Sequence, residues 1–266
     1  MEKQGVLHIE ELRIGFRAKN KADVVLAEGL TQTFYKGELT ALLGVNGIGK
    51  STLIRTLTGL QPPLSGRLFL GHQDLESLSD QERAKRLSLV LTRQSAPPNL
   101  LVREVLALGR QPYLPWWGKM NEQDHELISS VANQLHLLPL LDKNCNQISD
   151  GQLQKVLLGR ALVQHTPLVL LDEPTTHLDL EHKAELFLLL KKLVRSENKS
   201  ILFSTHDIEW ALQVADRIWL IDGKNNLCST PSEFIKSGAL EALFSAGFVR
   251  FDPQDKRFQL QQNRYL

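Results

Sequence analysis

Disulfides and metal clusters are the first things this 266-residue chain lacks, since it holds only two cysteines, Cys145 and Cys228. Two thiols so placed make neither a disulfide framework nor metal-ligand spacing, so the composition fits a reducing compartment. No stretch approaches the roughly 20 apolar residues that a membrane helix requires. Met1-Glu2-Lys3-Gln4-Gly5 leads into no apolar signal core. The chain is therefore expected to be soluble and to meet any membrane through a partner. An excess of one charge is missing too: Lys and Arg total 31 against 30 acidic residues, a net +1. That balance leaves no overall electrostatic footprint for nucleic acid. Internal repeats and low-complexity tracts are not seen. What is present is 42% hydrophobic content, enough for one large domain or a domain carrying an inserted subdomain.

The chain is organised around Gly44-Val45-Asn46-Gly47-Ile48-Gly49-Lys50-Ser51-Thr52. A glycine, four free positions and then Gly-Lys-Ser is a phosphate-binding pattern when it lies between a strand and a helix. Leu39–Leu43 reads as a buried strand. Leu53 and Leu57 recur at helical spacing after the loop, and Gly59 with Pro62-Pro63 ends that helix. Glycines let backbone amides wrap round phosphate oxygens, and the helix N-terminus adds partial positive charge. In such a loop Lys50 reaches the β- and γ-phosphates of a nucleoside triphosphate and the Ser51 hydroxyl ligates Mg²⁺.

Strands are expected at residues 6–16, 24–27, 30–35, 66–71 and 87–91, with a short polar helix at 79–86. From Ser95 to about Gly159 the character becomes helical, with helical spacing over Val102–Leu108 and Asp124–Leu138. The βα alternation then resumes with the apolar strand Leu168–Asp172, an amphipathic helix over His182–Val194 and strands near 200–206 and 217–221. Thr230-Pro231-Ser232-Glu233 is a capping box, followed by a helix near 239–244 and a hairpin over 248–260. Asp172 and Glu173 end an apolar strand, where ligands collect in open α/β sheets. Asp172 can hold Mg²⁺ through its shell and Glu173 can polarise the water that attacks the γ-phosphate. His206 ends a second strand and can contact the γ-phosphate or orient that water. Gln94 ends a third, where a neutral amide can sense Mg²⁺ and the water. Ser149 with Gln152 makes a capping box that opens a helix through about Leu162. It is either an ordinary helix start or a second N-terminus whose amides bind an anion.

Taken together these residues resemble the nucleotide-binding subunit of ATP-binding-cassette (ABC) transporters over about residues 7–225. Gly44–Thr52 matches the phosphate loop and Gln94 the glutamine loop. Ile148-Ser149-Asp150-Gly151-Gln152 matches the signature Leu-Ser-Gly-Gly-Gln. Leu168–Glu173 matches the Asp-Glu strand, His177-Leu178-Asp179 the D-loop and His206 the histidine switch. Phe16 lies where the family stacks an aromatic ring on adenine; packing into the core is its other reading. The resemblance implies an α/β fold: a P-loop (RecA-like) ABC ATPase core with an N-terminal antiparallel β-subdomain and an inserted α-helical subdomain. Within a single nucleotide-binding domain, residues 1–94 and 160–225 would form the core with its β-subdomain. Residues 95–159 would be the helical insertion and 226–266 a short C-terminal extension.

The resemblance further implies ATP and Mg²⁺ as cofactors and a head-to-tail homodimer. Each ATP then lies between one subunit's phosphate loop and the other's Ser149, Gly151 and Gln152. Asp150 departs from the family's glycine, which bears on signature geometry and turnover. Val102-Arg103-Glu104-Val105-Leu106-Ala107-Leu108-Gly109-Arg110-Gln111-Pro112-Tyr113 is similar to a run in bacterial importers of ferric siderophores, haem and vitamin B12. Read without the resemblance, it is helix core with Gly109 as the stop. The importer reading brings integral membrane permease subunits, an indirect extracytoplasmic solute-binding protein and a peripheral place on the cytoplasmic face of the inner membrane, with no nucleic acid. The rivals are a soluble cassette ATPase acting on DNA, ribosomes or cofactor assembly, and a small-molecule P-loop kinase.

Overall fold

The structure is a computed structural model that describes residues 4–19, 22–92, 99–115, 118–176, 178–222, 226–244 and 248–260. Its strands are β1 (Gly5–Phe16), β2 (Val24–Tyr35), β3 (Leu39–Leu43), β4 (Ser65–Leu70), β5 (Gln73–Asp74), β6 (Leu87–Val90), β7 (Leu168–Leu171), β8 (Ser200–Ser204), β9 (Arg217–Ile221), β10 (Asn226–Ser229), β11 (Val249–Asp252) and β12 (Arg257–Leu260). Its α-helices are α1 (Lys50–Leu57), α2 (Asp80–Ala84), α3 (Val102–Ala107), α4 (Glu122–Gln134), α5 (Asp150–Val163), α6 (Leu180–Glu197), α7 (Ile208–Val214), α8 (Pro231–Lys236) and α9 (Ala239–Phe244).

A six-stranded sheet in the order β10-β9-β3-β8-β7-β6 carries the site. Its strands run parallel except β10, which returns antiparallel to β9. Because both faces are covered, the central strands β3, β8 and β7 are buried at every position and largely apolar, as parallel strands require. Alternate residues go to two separate cores. Leu42, Leu168, Leu170, Leu202 and Trp219 face α1 and the antiparallel sheet β2-β1-β4-β5. Ala41, Val169, Leu171, Phe203 and Leu220 face the helices α3 to α7.

The loose alternation of β1 has a local cause. Between Ile9 and Leu12 two residues of β1 oppose one of β2, and Glu11 takes a φ of 46°. This bulge shifts the phase by one, so that Leu7 and Ile9 before it and Leu12 and Ile14 after it all point inward. At about 1.5–3 kcal/mol per fully buried Leu or Ile, an uncorrected phase would cost far more than one bulge. The two strands expected at 24–27 and 30–35 are one, β2. A second bulge, where Glu28 and Gly29 oppose Arg13, produces the apparent gap.

The helical stretch expected over Asp124–Leu138 is α4, shifted toward its Asn121 cap and ending at Gln134. Helix α5 runs unbroken across 159/160, the division drawn from sequence between insertion and core. Strand β10 carries no apolar alternation and was not expected. Among the described residues no helix is long and apolar enough to cross a membrane.

Candidate active site

The strand β3, the loop and α1 follow one another as the spacing predicts. Gly49 caps α1 with a φ of 104° and no side-chain hydrogen bond. A side chain there would be strained, and its Cβ would meet Leu26 at 3.0 Å. Lys50 is buried, and its Nζ donates to the Gly44 carbonyl at 2.9 Å. Burial draws the Lys50 ammonium below its ordinary pKa, while the charges of Glu173 and Asp172 push the other way. The three groups therefore share one electrostatic neighbourhood.

Asp172 is buried just past the end of β7. Its Oδ1 accepts from the Ser51 hydroxyl at 3.1 Å and from the Ser204 hydroxyl at 2.8 Å. Glu173 holds a left-handed φ of 48°, uncommon for a side chain of this kind. Its Oε1 lies 2.6 Å from His206 Nε2, which follows β8. Asp207, the next residue, is gripped by Thr175 Oγ1 at 3.0 Å and by Lys183 Nζ at 2.9 Å. Asp172, Glu173, Lys50, Ser51 and His206 are thus brought to one end of the sheet. Gln94 and His177 lie outside the described residues. Sequence reasoning passed over Ser204 and Thr92. Their only signal is a hydroxyl at, or just past, the end of a buried strand.

The remaining expected residues lie on the loop and first turn of α1, at the end of β1 and at the starts of α5 and α6. Ser149 caps α5 and is exposed; its Oγ accepts from the Gln152 amide at 3.2 Å, and the Gln152 side chain accepts from the Ser149 amide at 3.1 Å. Gly151 follows on the first turn, where an added Cβ would meet only Leu178 at 3.5 Å. Asp179 caps α6 through the His182 amide at 2.9 Å. That bond and the His182 ring hold its carboxyl below the ordinary carboxylate range. Phe16 is 51% exposed, so core packing is not its role. It extends β1 two residues beyond Ile14, whose side chain reaches toward Gly49. Asn46 and Gly47 are exposed at the loop crest, and Thr52 lies on the first turn of α1.

The run 102–113 has a structural task. Beyond α3 the chain continues as a 3₁₀ helix over Leu108–Tyr113, so Gly109 is not a stop. Instead Gly109 lies against α5, where a Cβ would meet the Arg160 carbonyl at 2.3 Å. Arg110 Nε donates to the buried Asp124 at 2.7 Å and its Nη1 to Val163 O at 3.1 Å. Its guanidinium also sits 4.0 Å from the Tyr113 ring centre. Tyr113 Oη donates to Gln164 O at 3.0 Å. Gln164 in turn donates to Ala84 O and Leu87 O, beside β6. This strap ties the C-terminal end of α5 to the edge of the sheet.

A glycine loop opening a helix, a lysine folded over it and paired carboxylates just past β7, one strand removed from β3, define a P-loop nucleotide-hydrolysing fold. Residues 27–176 match the ABC transporter family. An uncharacterised ABC transporter ATP-binding protein of Methanocaldococcus jannaschii is 34% identical over 97% of this chain and 88% of its own length. The ferric enterobactin transport ATP-binding protein FepC of Escherichia coli K12 is 31% identical over 88% of this chain and 85% of its own. An ABC transporter solved in an inward-facing conformation superimposes with a TM-score of 0.77 at 27% identity, covering 91% of this chain and 89% of that one. The chain belongs to the ABC transporter family and is an ATP-binding, ATP-hydrolysing subunit of that family.

Proposed function

We propose that this chain powers a bacterial-type importer of an iron complex, a ferric siderophore above all. It would work as a homodimer against integral membrane permease subunits on the cytoplasmic face of the membrane. A solute-binding protein would deliver cargo from the other side. The observation that carries the enzymatic part is the Glu173–His206 contact of 2.6 Å beside the Ser51–Asp172 contact of 3.1 Å. Support for the cargo comes from the enterobactin-transport relative and from the run Val102–Tyr113.

In this reading Lys50 and the loop amides, with Gly44, Asn46, Gly47, Gly49 and Thr52, hold the triphosphate. Phe16 stacks on the adenine. Ser51 and Asp172 offer two oxygen donors at the helix N-terminus, the donor set a hard divalent cation prefers, with Gln94 completing it. Mg²⁺ held there would neutralise charge gathering on the β- and γ-oxygens. Glu173 orients the attacking water and draws its proton as the new oxygen–phosphorus bond forms and the bridging β–γ bond breaks. His206 holds the Glu173 carboxylate in place from its Nε2. Ser149, Gly151 and Gln152 reach the partner's γ-phosphate, and Asp179 lies along the same seam. ATP then drives motion through its higher affinity for the closed dimer.

Glu173→Gln keeps the shape and removes the base. Turnover should fall about 10²–10⁴-fold, ATP binding should survive, and a nucleotide-dependent dimer should accumulate on size-exclusion chromatography. Turnover like the wild type would remove Glu173 from the role. For the transport part, affinity purification from membranes should retrieve a polytopic membrane protein. Co-purification with ribosomes or DNA in its place would favour a soluble cassette ATPase.

A further inference from the structure

We propose that Ser204 is a positioning residue for hydrolysis, acting with Thr92 as a clamp on the single peptide that joins Asp172 to Glu173. The inference rests on the reading of Glu173 as the group that activates water. Ser204 is the last residue of β8, fully buried, two residues before His206. Its Oγ lies 2.8 Å from Asp172 Oδ1 and 2.9 Å from the Glu173 amide nitrogen. The directions are forced. An amide nitrogen only donates and a carboxylate only accepts, so the one hydroxyl proton goes to Asp172 and a lone pair receives the Glu173 N–H.

The other pole of the same peptide is held from the opposite side. Thr92 Oγ1 donates to the Asp172 carbonyl at 2.8 Å, while the Asp172 amide donates to Val90 O at 2.8 Å. The peptide between the two carboxylates is thereby fixed at its N–H by β8 and at its C=O by the segment leaving β6. That grip has something to hold. Glu173 stands at a φ of 48°, a conformation that persists only where the surroundings over-determine it. The left-handed turn aims the Glu173 side chain at His206, and Ser204 sits on the strand that delivers His206. One hydroxyl thus sets three things relative to one another: the Asp172 carboxylate, the Glu173 backbone and the histidine strand.

Ser204→Ala, measured with MgATP on the full chain, should lower kcat about 10- to 100-fold while the MgATP dissociation constant moves less than about threefold. Thr92→Val should show the same split, and Thr92→Ser, which keeps the hydroxyl without added bulk, should restore turnover. Melting temperature and nucleotide binding are recorded alongside, so loss of fold is told apart from loss of aim. If Ser204→Ala does not fold, the Thr92→Val and Thr92→Ser pair decides alone. Unchanged kcat in the folded variants would overturn the clamp. So would kcat, affinity and melting temperature falling together, or a Thr92→Ser variant as slow as Thr92→Val. Glu173→Gln is run in parallel. If it hydrolyses normally, the reading of Glu173 fails; if it is inactive while Ser204→Ala is not, only the clamp fails.

Discussion

Helix α1 and helix α5 both begin with residues proposed to meet phosphate, and they begin in opposite ways. Behind α1 stands Gly49, left-handed and without a side chain, so the first-turn amides have no side-chain cap. Behind α5 stands Ser149, whose capping box with Gln152 claims donors on both sides of the turn. The surroundings differ in the same sense. Lys50 is buried between its own loop carbonyl and two carboxylates, whereas Ser149 and Asp150 are exposed. An N-terminus with four orphan donors and a buried cation is organised for an anion from its own site. One that satisfies itself can wait in water until another molecule brings the anion. The contrast supports a site divided between two chains, and each half can be broken separately.

The largest effect is expected at α1. Lys50→Ala removes the buried cation from the loop and should lower turnover at least about 10²–10³-fold, with weakened MgATP binding in a fluorescence titration. Survival of both would remove the loop from the mechanism.

A sharper test sets the two helices against each other. Gly151→Asp adds a carboxylate at a position where a Cβ finds ordinary contact, so the chain should fold and bind ATP as a monomer. Against a partner's phosphate about 4 Å away the new charge costs about 1–4 kcal/mol, or roughly fivefold to nearly a thousandfold in turnover. Mixing Lys50→Ala with Gly151→Asp should then restore activity, because the heterodimer holds one site with both halves intact. If no mixture recovers turnover or nucleotide-dependent association, the two halves do not complement across chains.

The same contrast explains what could be read from the residues. β3, the loop and α1 were legible because the pattern is contiguous: an apolar strand, glycines and a helix repeat within a few residues of each other. The start of α5 was legible from Ser149 and Gln152 three positions apart. Asp172, Glu173 and His206 were legible as the ends of apolar strands. What could not be read joins distant segments. Ser204 meets Glu173 across two neighbouring strands, and Thr92 meets Asp172 across the next pair. No local period marks either contact. Gly109 reads as a helix stop in sequence, because nothing nearby tells of the α5 backbone packed against it. The continuity of β2 through Gly29 was hidden for the same reason: a bulge is defined by the partner strand, not by its own residues.

The smallest effect should come from Asp150, where the two halves make opposite demands. Within its own chain an acid on the first turn of α5 suits the positive end of the helix, by about 0.3–1 kcal/mol. Across a dimer the same carboxylate, one residue from Ser149, would repel an incoming triphosphate. Asp150→Asn keeps the shape and removes the charge. It should lower the melting temperature by about 1–4 °C and raise turnover a few-fold at low salt. Near 1 M salt, where the Debye length falls to about 3 Å, the difference in turnover should shrink toward nothing. A gain that persists at high salt would assign the effect to loop geometry, and no gain at any salt would mean that the carboxylate points away from the seam.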